Sequence, residues 1–342
     1  MFSYKRKLWG VFLIFLVMML IAGCASAPET TAPEESAGEE VADTFKIGIV
    51  QLVEHSALDA AREGFVDALA DEGFVDGENI FIDYKNANGE PATCITICEG
   101  FVADQVDLIL AIATPAVQAA ATVTQDIPII FNSVTDPQEA GVVESWDLPA
   151  TNVTGASDMN PVKEQLALLL EIAPEVKNVG VIYNSGEVNS TVQVDIAKKV
   201  ASEMGITMVE AVVINSGEVG TAAESLVGKV DAIYVPTDNT VVTALRSVIS
   251  VAEEYDLPTV AGDIESVENG ALATLGITYY GLGRQSGSMA AQVLDGANPA
   301  EIPVQMATDV TYAVNLAAAD AMGVELPQGI IDLAREDGQL FE

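Results

Sequence analysis

The sequence predicts an α/β protein of two doubly wound parallel-sheet lobes. Three observations carry this. Short, almost wholly apolar runs alternate with amphipathic stretches, the pattern of buried parallel strands separated by covering helices. The alternation pauses near residues 152–158 and then begins again with the same order. The stretch from 45 to 337 holds roughly 290 residues, enough for two separate cores.

In the first half, strands are expected at 45–51, 80–84, 107–112 and 128–132, with helices at 58–71, 93–104 and 116–124 between them. In the second half, strands are expected at 179–183, 207–213, 232–235 and 259–261, and helices at 161–172, 192–204, 220–226 and 241–255. In such sheets a ligand sits beyond the carboxyl ends of the strands, where helix N-termini also point. The residues just after each strand are therefore the informative ones. In the first lobe they include Glu54, His55 and Ser56, then Thr114 and Ala116, then Ser133, Thr135 and Asp136. In the second they include Asn184 and Asn189, then Asp238 and Asn239, then Asp263. Helix capping accounts equally well for any one of these hydroxyls, amides and carboxylates. The set as a whole points to a polar site.

The ends of the chain bear on its compartment. Lys5, Arg6 and Lys7 precede an apolar run over 8–21, which is short for a membrane span and leads into small residues. Ile21-Ala22-Gly23-Cys24 resembles the bacterial lipobox. Residues 1–23 therefore read as a lipoprotein signal peptide, with Cys24 as the lipid-modified N-terminus. Residues 24–44, rich in Ala, Pro, Glu, Ser and Thr, read as a disordered acidic tether.

The chain has 14 Lys and Arg against 51 Asp and Glu. Loss of Lys5, Arg6 and Lys7 with the signal peptide would leave eleven basic residues. So acidic a chain is unsuited to nucleic acid, which needs Lys and Arg to neutralise phosphate. None of the eleven falls in the strand-end loops, so a dicarboxylate, sulfonate or polyphosphate ligand lacks its usual clamp. What remains suits a zwitterion, its carboxylate held by hydroxyls and backbone N–H groups and its ammonium by Asp or Glu. Cys94 and Cys98 lie four apart on an expected helix and read as buried packing. His55 is the single histidine, and no metal site or other cofactor is expected. Gly281-Leu282-Gly283-Arg284-Gln285-Ser286-Gly287 imitates a dinucleotide loop, but its third glycine is one position late and it lies near the C-terminus. No nucleophile–base pair suggests catalysis.

Several stretches jointly resemble one family, the substrate-binding lipoproteins of ABC transporters that include TrpX-type aromatic amino-acid binders. They are Ile47-Gly48-Ile49-Val50-Gln51 with Glu54-His55, Ala113-Thr114-Pro115-Ala116, Pro128-Ile129-Ile130-Phe131-Asn132-Ser133-Val134-Thr135-Asp136-Pro137 and Asn152-Val153-Thr154-Gly155. In the second half they are Gly180-Val181-Ile182-Tyr183-Asn184-Ser185-Gly186-Glu187, Asp231-Ala232-Ile233-Tyr234-Val235-Pro236-Thr237-Asp238-Asn239-Thr240 and Gly270-Ala271-Leu272-Ala273-Thr274. The resemblance implies a type I periplasmic-binding-protein fold, two Rossmann-like lobes joined by three hinge crossings near 152–160, 277–281 and 306–311. Lobe 1 would then be 45–157 plus 280–308, and lobe 2 would be 158–279 plus 309–337.

It further implies a monomer, tethered outside the cytoplasm, that captures an amino acid by hinge closure and docks on a membrane permease. The expected contacts are Thr114, the Ala116 N–H, Ser133 and Thr135 to the carboxylate. Asp238 would meet the ammonium, with Asp263 or Asp136 as substitutes. Tyr183, Phe131 and Tyr279 are candidate apolar walls, core packing being the alternative for each. A ligand-sensing ectodomain of a membrane receptor would have the same cleft.

Overall fold

The computed structural model describes residues 44–308 and 310–342. The signal peptide and lipobox at Cys24, and all but the last residue of the tether, lie outside the described residues.

Lobe 1 begins with β1 (Phe45–Gln51), α1 (Ser56–Asp71), β2 (Ile80–Asn86), α2 (Pro91–Ala103), β3 (Leu108–Ile112), α3 (Thr114–Val123), β4 (Ile129–Asn132) and β5 (Val153–Ser157). Every residue of β3 and β4 is buried, as strands covered on both faces require. Cys94 and Cys98 are buried on α2 as free thiols, which burial pushes up to about 11 and about 12. The sequence pattern paused over β5 because Thr154, Gly155 and Ser157 give it little apolar character. It is nonetheless a strand paired in parallel with β4.

The chain then crosses to lobe 2. Its elements are α4 (Val162–Ile172), β6 (Asn178–Asn184), α5 (Val188–Met204), β7 (Thr207–Val213), α6 (Val219–Leu226), β8 (Ala232–Val235), α7 (Asn239–Thr243), α8 (Leu245–Glu254), β9 (Thr259–Ala261), α9 (Ile264–Glu268) and β10 (Ala273–Ile277). The single helix expected over 241–255 is two, broken at Ala244. After β10 the chain returns to lobe 1 with α10 (Tyr279–Leu294) and β11 (Gln305–Met306). It crosses a last time into β12 (Val310–Asn315), α11 (Leu316–Ala321), α12 (Gln328–Glu336) and β13 (Leu340–Phe341).

The first sheet has the order β11-β5-β4-β3-β1-β2 and the second β13-β12-β10-β9-β8-β6-β7. All pairings are parallel except β10 with β12. Strands of both sheets run toward the space between the lobes. A strand entered from that space, as β12 is, must run the other way. The three crossings thus follow β5, β10 and β11, at the carboxyl edges of the sheets.

The glycine-rich segment that imitates a nucleotide loop lies inside α10 and packs on α1. A Cβ on Gly283 would stand 2.1 Å from the Ala61 carbonyl oxygen, and one on Gly64 would stand 2.1 Å from that of Tyr280. The glycines let two helix backbones touch, and this fixes where α10, and Tyr279 at its start, can sit.

Candidate functional site

Between the lobes, the strand-end loops enclose a pocket. Its lining is His55, Ala57, Leu58 and Ser133 from lobe 1, Asp158 and Tyr279 from the first and second crossings, and Asn189, Thr237, Asp238, Asn239, Val242 and Asp263 from lobe 2. It contains no Lys or Arg.

The carboxylates are fixed by local structure. Asp238 caps α7, accepting from the Val241 N–H at 2.8 Å, and also accepts from the Asn184 N–H at 2.6 Å. Asp263 caps α9 through the Ser266 N–H at 2.7 Å and its hydroxyl at 2.9 Å. Asp158 accepts from Thr135 at 2.9 Å and from the Tyr279 hydroxyl at 2.7 Å. Burial raises all three above the ordinary carboxylate range, most clearly Asp238, where the Glu187 charge adds to it. Glu265, on α9 beside Asp263, is raised for the same reasons, and its Oε2 has no protein partner. The site is short of positive charge.

His55 caps α1: its Nδ1 accepts from the Leu58 N–H at 3.5 Å. The proton therefore lies on Nε2, which is buried and has no protein hydrogen bond. Desolvation lowers the ring to about 4, so it is neutral at physiological pH; its main stabilising neighbour is Asn239 of the other lobe, though short of hydrogen-bond geometry. Thr114 Oγ1 and Asn189 Oδ1 are likewise buried without partners. Buried polar groups are nearly always paired, and two of these orphans, on His55 and Asn189, line the same pocket, which marks it as a site for a polar guest. Backbone strain marks the same place: Ala113 (φ 82°) and Ser133 (φ 59°), at the ends of β3 and β4, hold positive φ without being glycine.

Other expected site residues are used elsewhere. Tyr183 donates to Glu210 at 2.8 Å on the flank of lobe 2, because strand alternation turns it away from the cleft. Phe131 is wholly buried in the core of lobe 1. Asp136 caps its own turn through the Gln138 and Glu139 N–H groups, so it cannot stand in for Asp238. The Ala116 N–H is taken by the Ala113 carbonyl at 3.0 Å. The Thr135 hydroxyl is engaged with Asp158. Glu54 is exposed and accepts from Tyr84 at 3.1 Å. Ser56, also exposed, accepts from Asn269 of lobe 2 at 2.9 Å. Asn184 lines an outer groove rather than the pocket. The reading from sequence missed Asp158 and Thr237, whose loops it had noted, and the apolar wall of Ala57, Leu58 and Val242.

The family described as ABC transporter substrate binding protein matches residues 46–337. The chain belongs to that family. As a substrate binding protein it works outside the cytoplasm and presents a small molecule to an ABC transporter. It is 42% identical to the tyrosine-binding protein of Clostridioides difficile over 92% of this chain and 91% of that one. The structure of an ABC domain from Streptococcus pneumoniae in complex with L-Trp is 36% identical, with a TM-score of 0.83 over 87% of this chain and all of that one. A ligand-free, open structure of a substrate binding protein with adhesive properties from Clostridium difficile is 47% identical. Its TM-score is only 0.65, over 83% of this chain and 96% of that one. This substrate binding protein thus superposes better on the L-Trp complex than on the ligand-free, open structure, although it is more identical to the latter, in keeping with a closed arrangement. Direct bonds across the cleft, such as Asn269 to Ser56, agree.

The unpaired Nε2 gives a test. His55→Asn keeps a good N-cap and removes the donor. It is expected to leave the melting temperature within a few degrees and to weaken ligand binding by about 2 kcal/mol, roughly thirtyfold. Calorimetry beside thermal denaturation separates the two; unchanged affinity would rule the imidazole out as a contact.

Proposed function

We propose that this protein captures an amino acid with an aromatic or apolar side chain and delivers it, as a lipid-anchored monomer, to an ABC permease. The carrying observation is a closed inter-lobe pocket in which Asp158, Asp238 and Asp263 converge with no Lys or Arg. A buried carboxylate cluster of that kind lacks a cation, and a ligand ammonium supplies one. The ligand carboxylate meets the Nε2–H of His55, a donor in the pocket left without a protein partner. Ala57, Leu58, Val242 and the Tyr279 ring offer the side chain an apolar wall. The tyrosine and tryptophan named for two relatives support this class.

Calorimetry across the twenty amino acids tests the reading. L-Tyr, L-Trp or L-Phe is expected to bind, while Asp and Glu, bringing a second negative charge, are not. If no amino acid binds, the reading is wrong. The anchor is tested separately: Cys24→Ser is expected to release the protein from the membrane fraction, and unchanged retention and mass would defeat that part.

A further inference from the structure

Gln193, on α5, is completely buried and belongs to no recognisable sequence signal. Its Oε1 accepts from the Thr237 N–H at 3.0 Å, and its Nε2 donates to the Thr237 hydroxyl. The same Nε2 reaches across the cleft to the Thr135 hydroxyl of lobe 1 at 3.4 Å. The Thr135 hydroxyl in turn donates to Asp158, in the first crossing, and the other Asp158 oxygen accepts from Tyr279, in the second. One buried chain, Thr237–Gln193–Thr135–Asp158–Tyr279, therefore spans both lobes and two of the three crossings. Its donor directions are consistent along its length: the carboxamide donates to a hydroxyl, the hydroxyl to the carboxylate, and the phenol to that carboxylate from the far side.

We propose that Gln193 is the positioning residue of lobe closure: its carboxamide recognises Thr135 in the closed arrangement and ties that arrangement to the pocket through Thr237 and to the crossings through Asp158 and Tyr279. Opening the cleft breaks the Gln193–Thr135 bond and leaves a buried carboxamide proton and the Thr135 acceptor to find water. While it is formed, three pocket residues are held in one frame. Gln193 does not line the pocket itself, so it acts through the closed population rather than through ligand contact. The exposed Asn269–Ser56 bond assists but is open to competing water.

The test uses the full chain with spin labels at Glu63→Cys on lobe 1 and Glu224→Cys on lobe 2, the native Cys94 and Cys98 being buried. Distance distributions without ligand are expected to show a closed population in the parent, reduced at least about threefold in Gln193→Leu and in Thr135→Val. The double variant is expected to be no worse than either single, since the two side chains make one link. Thr135→Ser, which keeps the hydroxyl, is expected to behave as the parent. With L-tyrosine as probe, stopped-flow release is expected to speed up about tenfold in the two disrupted variants while association changes less than twofold. A parent wholly open without ligand overturns the proposal, as do variants with the parental distribution or single effects that simply add. The ligand arm rests on the amino-acid reading above. If L-tyrosine fails to bind, that reading falls, and the ligand-free distances still decide the role of Gln193.

Discussion

Asp238→Asn is expected to weaken ligand binding by at least two orders of magnitude. Removing one partner of a buried ion pair costs about 3–5 kcal/mol, because the ammonium loses its counter-charge after leaving water. Effects on the fold are smaller and partly cancel. Asparagine keeps an acceptor for the Val241 N–H but turns an NH2 toward the Asn184 N–H, at about 1–3 kcal/mol. Against this, a buried charge beside Glu187 disappears. Melting is thus expected to move little while affinity collapses. Asp263→Asn is the gentler companion, since the new amide can donate to the Ser266 hydroxyl.

The same carboxylates set a pH dependence. Asp158, Asp238, Asp263 and Glu265 have folded values raised above their unfolded ones by burial. Their contribution to stability is therefore full at acid pH, below the unfolded values near 4, and is lost as pH rises through the raised folded values. Exposed carboxylates have finished titrating by about pH 5.5. Between pH 5.5 and 8 the ligand-free protein is expected to melt at progressively lower temperature, and the increase in melting temperature given by ligand is expected to grow. Wild-type affinity unchanged in Asp238→Asn, or a ligand-induced shift independent of pH, would remove the ammonium site.

The second large effect lies away from the pocket. Gly283→Ala is expected to cost about 3 kcal/mol, the upper range for overpacking, and to lower the melting temperature by roughly 6–12 °C. The new methyl would meet backbone on α1, the Ala61 carbonyl oxygen at 2.1 Å and the Phe65 nitrogen at 2.9 Å, and backbone cannot rotate aside as a side chain can. Separation of α1 and α10 would also shift Tyr279 from Asp158, so affinity is expected to fall with stability. A variant melting within about 2 °C of the parent would show that the helices adapt at little cost.

The two-lobe α/β architecture was legible because parallel strands buried on both faces, such as Leu108–Ile112, leave continuous apolar runs. Strand β5 was not, since Val153–Ser157 is short and mostly small or polar. The glycines of α10 were rightly kept out of a nucleotide loop, yet their use against α1 depends on a partner more than two hundred residues away. In the site, Asp238 and Asp263 proved to be helix caps and pocket residues at once, so neither the capping nor the binding reading excluded the other. Tyr183 and Phe131 failed as walls because which way a strand residue faces depends on the parity of its register. The strain at Ala113 and Ser133 could not be read, although Ser133 itself was a candidate: nothing in their identity announces a positive φ. Gln193 was invisible for a third reason, as a polar residue mid-helix whose partners come from both lobes.

The returning passage of the chain has a consequence for how the protein is made. Asn132 donates to Ser286, 154 residues later, and Thr154 donates to the Ile302 carbonyl, 148 residues later. Tyr280 donates to Asp67 across 213 residues. The N-terminal half therefore cannot finish its own core while the ribosome is still producing the other half. Contacts so distant in sequence also make for slow folding. A nascent chain with these dependencies stays loose until almost its whole length is available, which suits a polypeptide that must be threaded through a translocation channel before it folds on the far side.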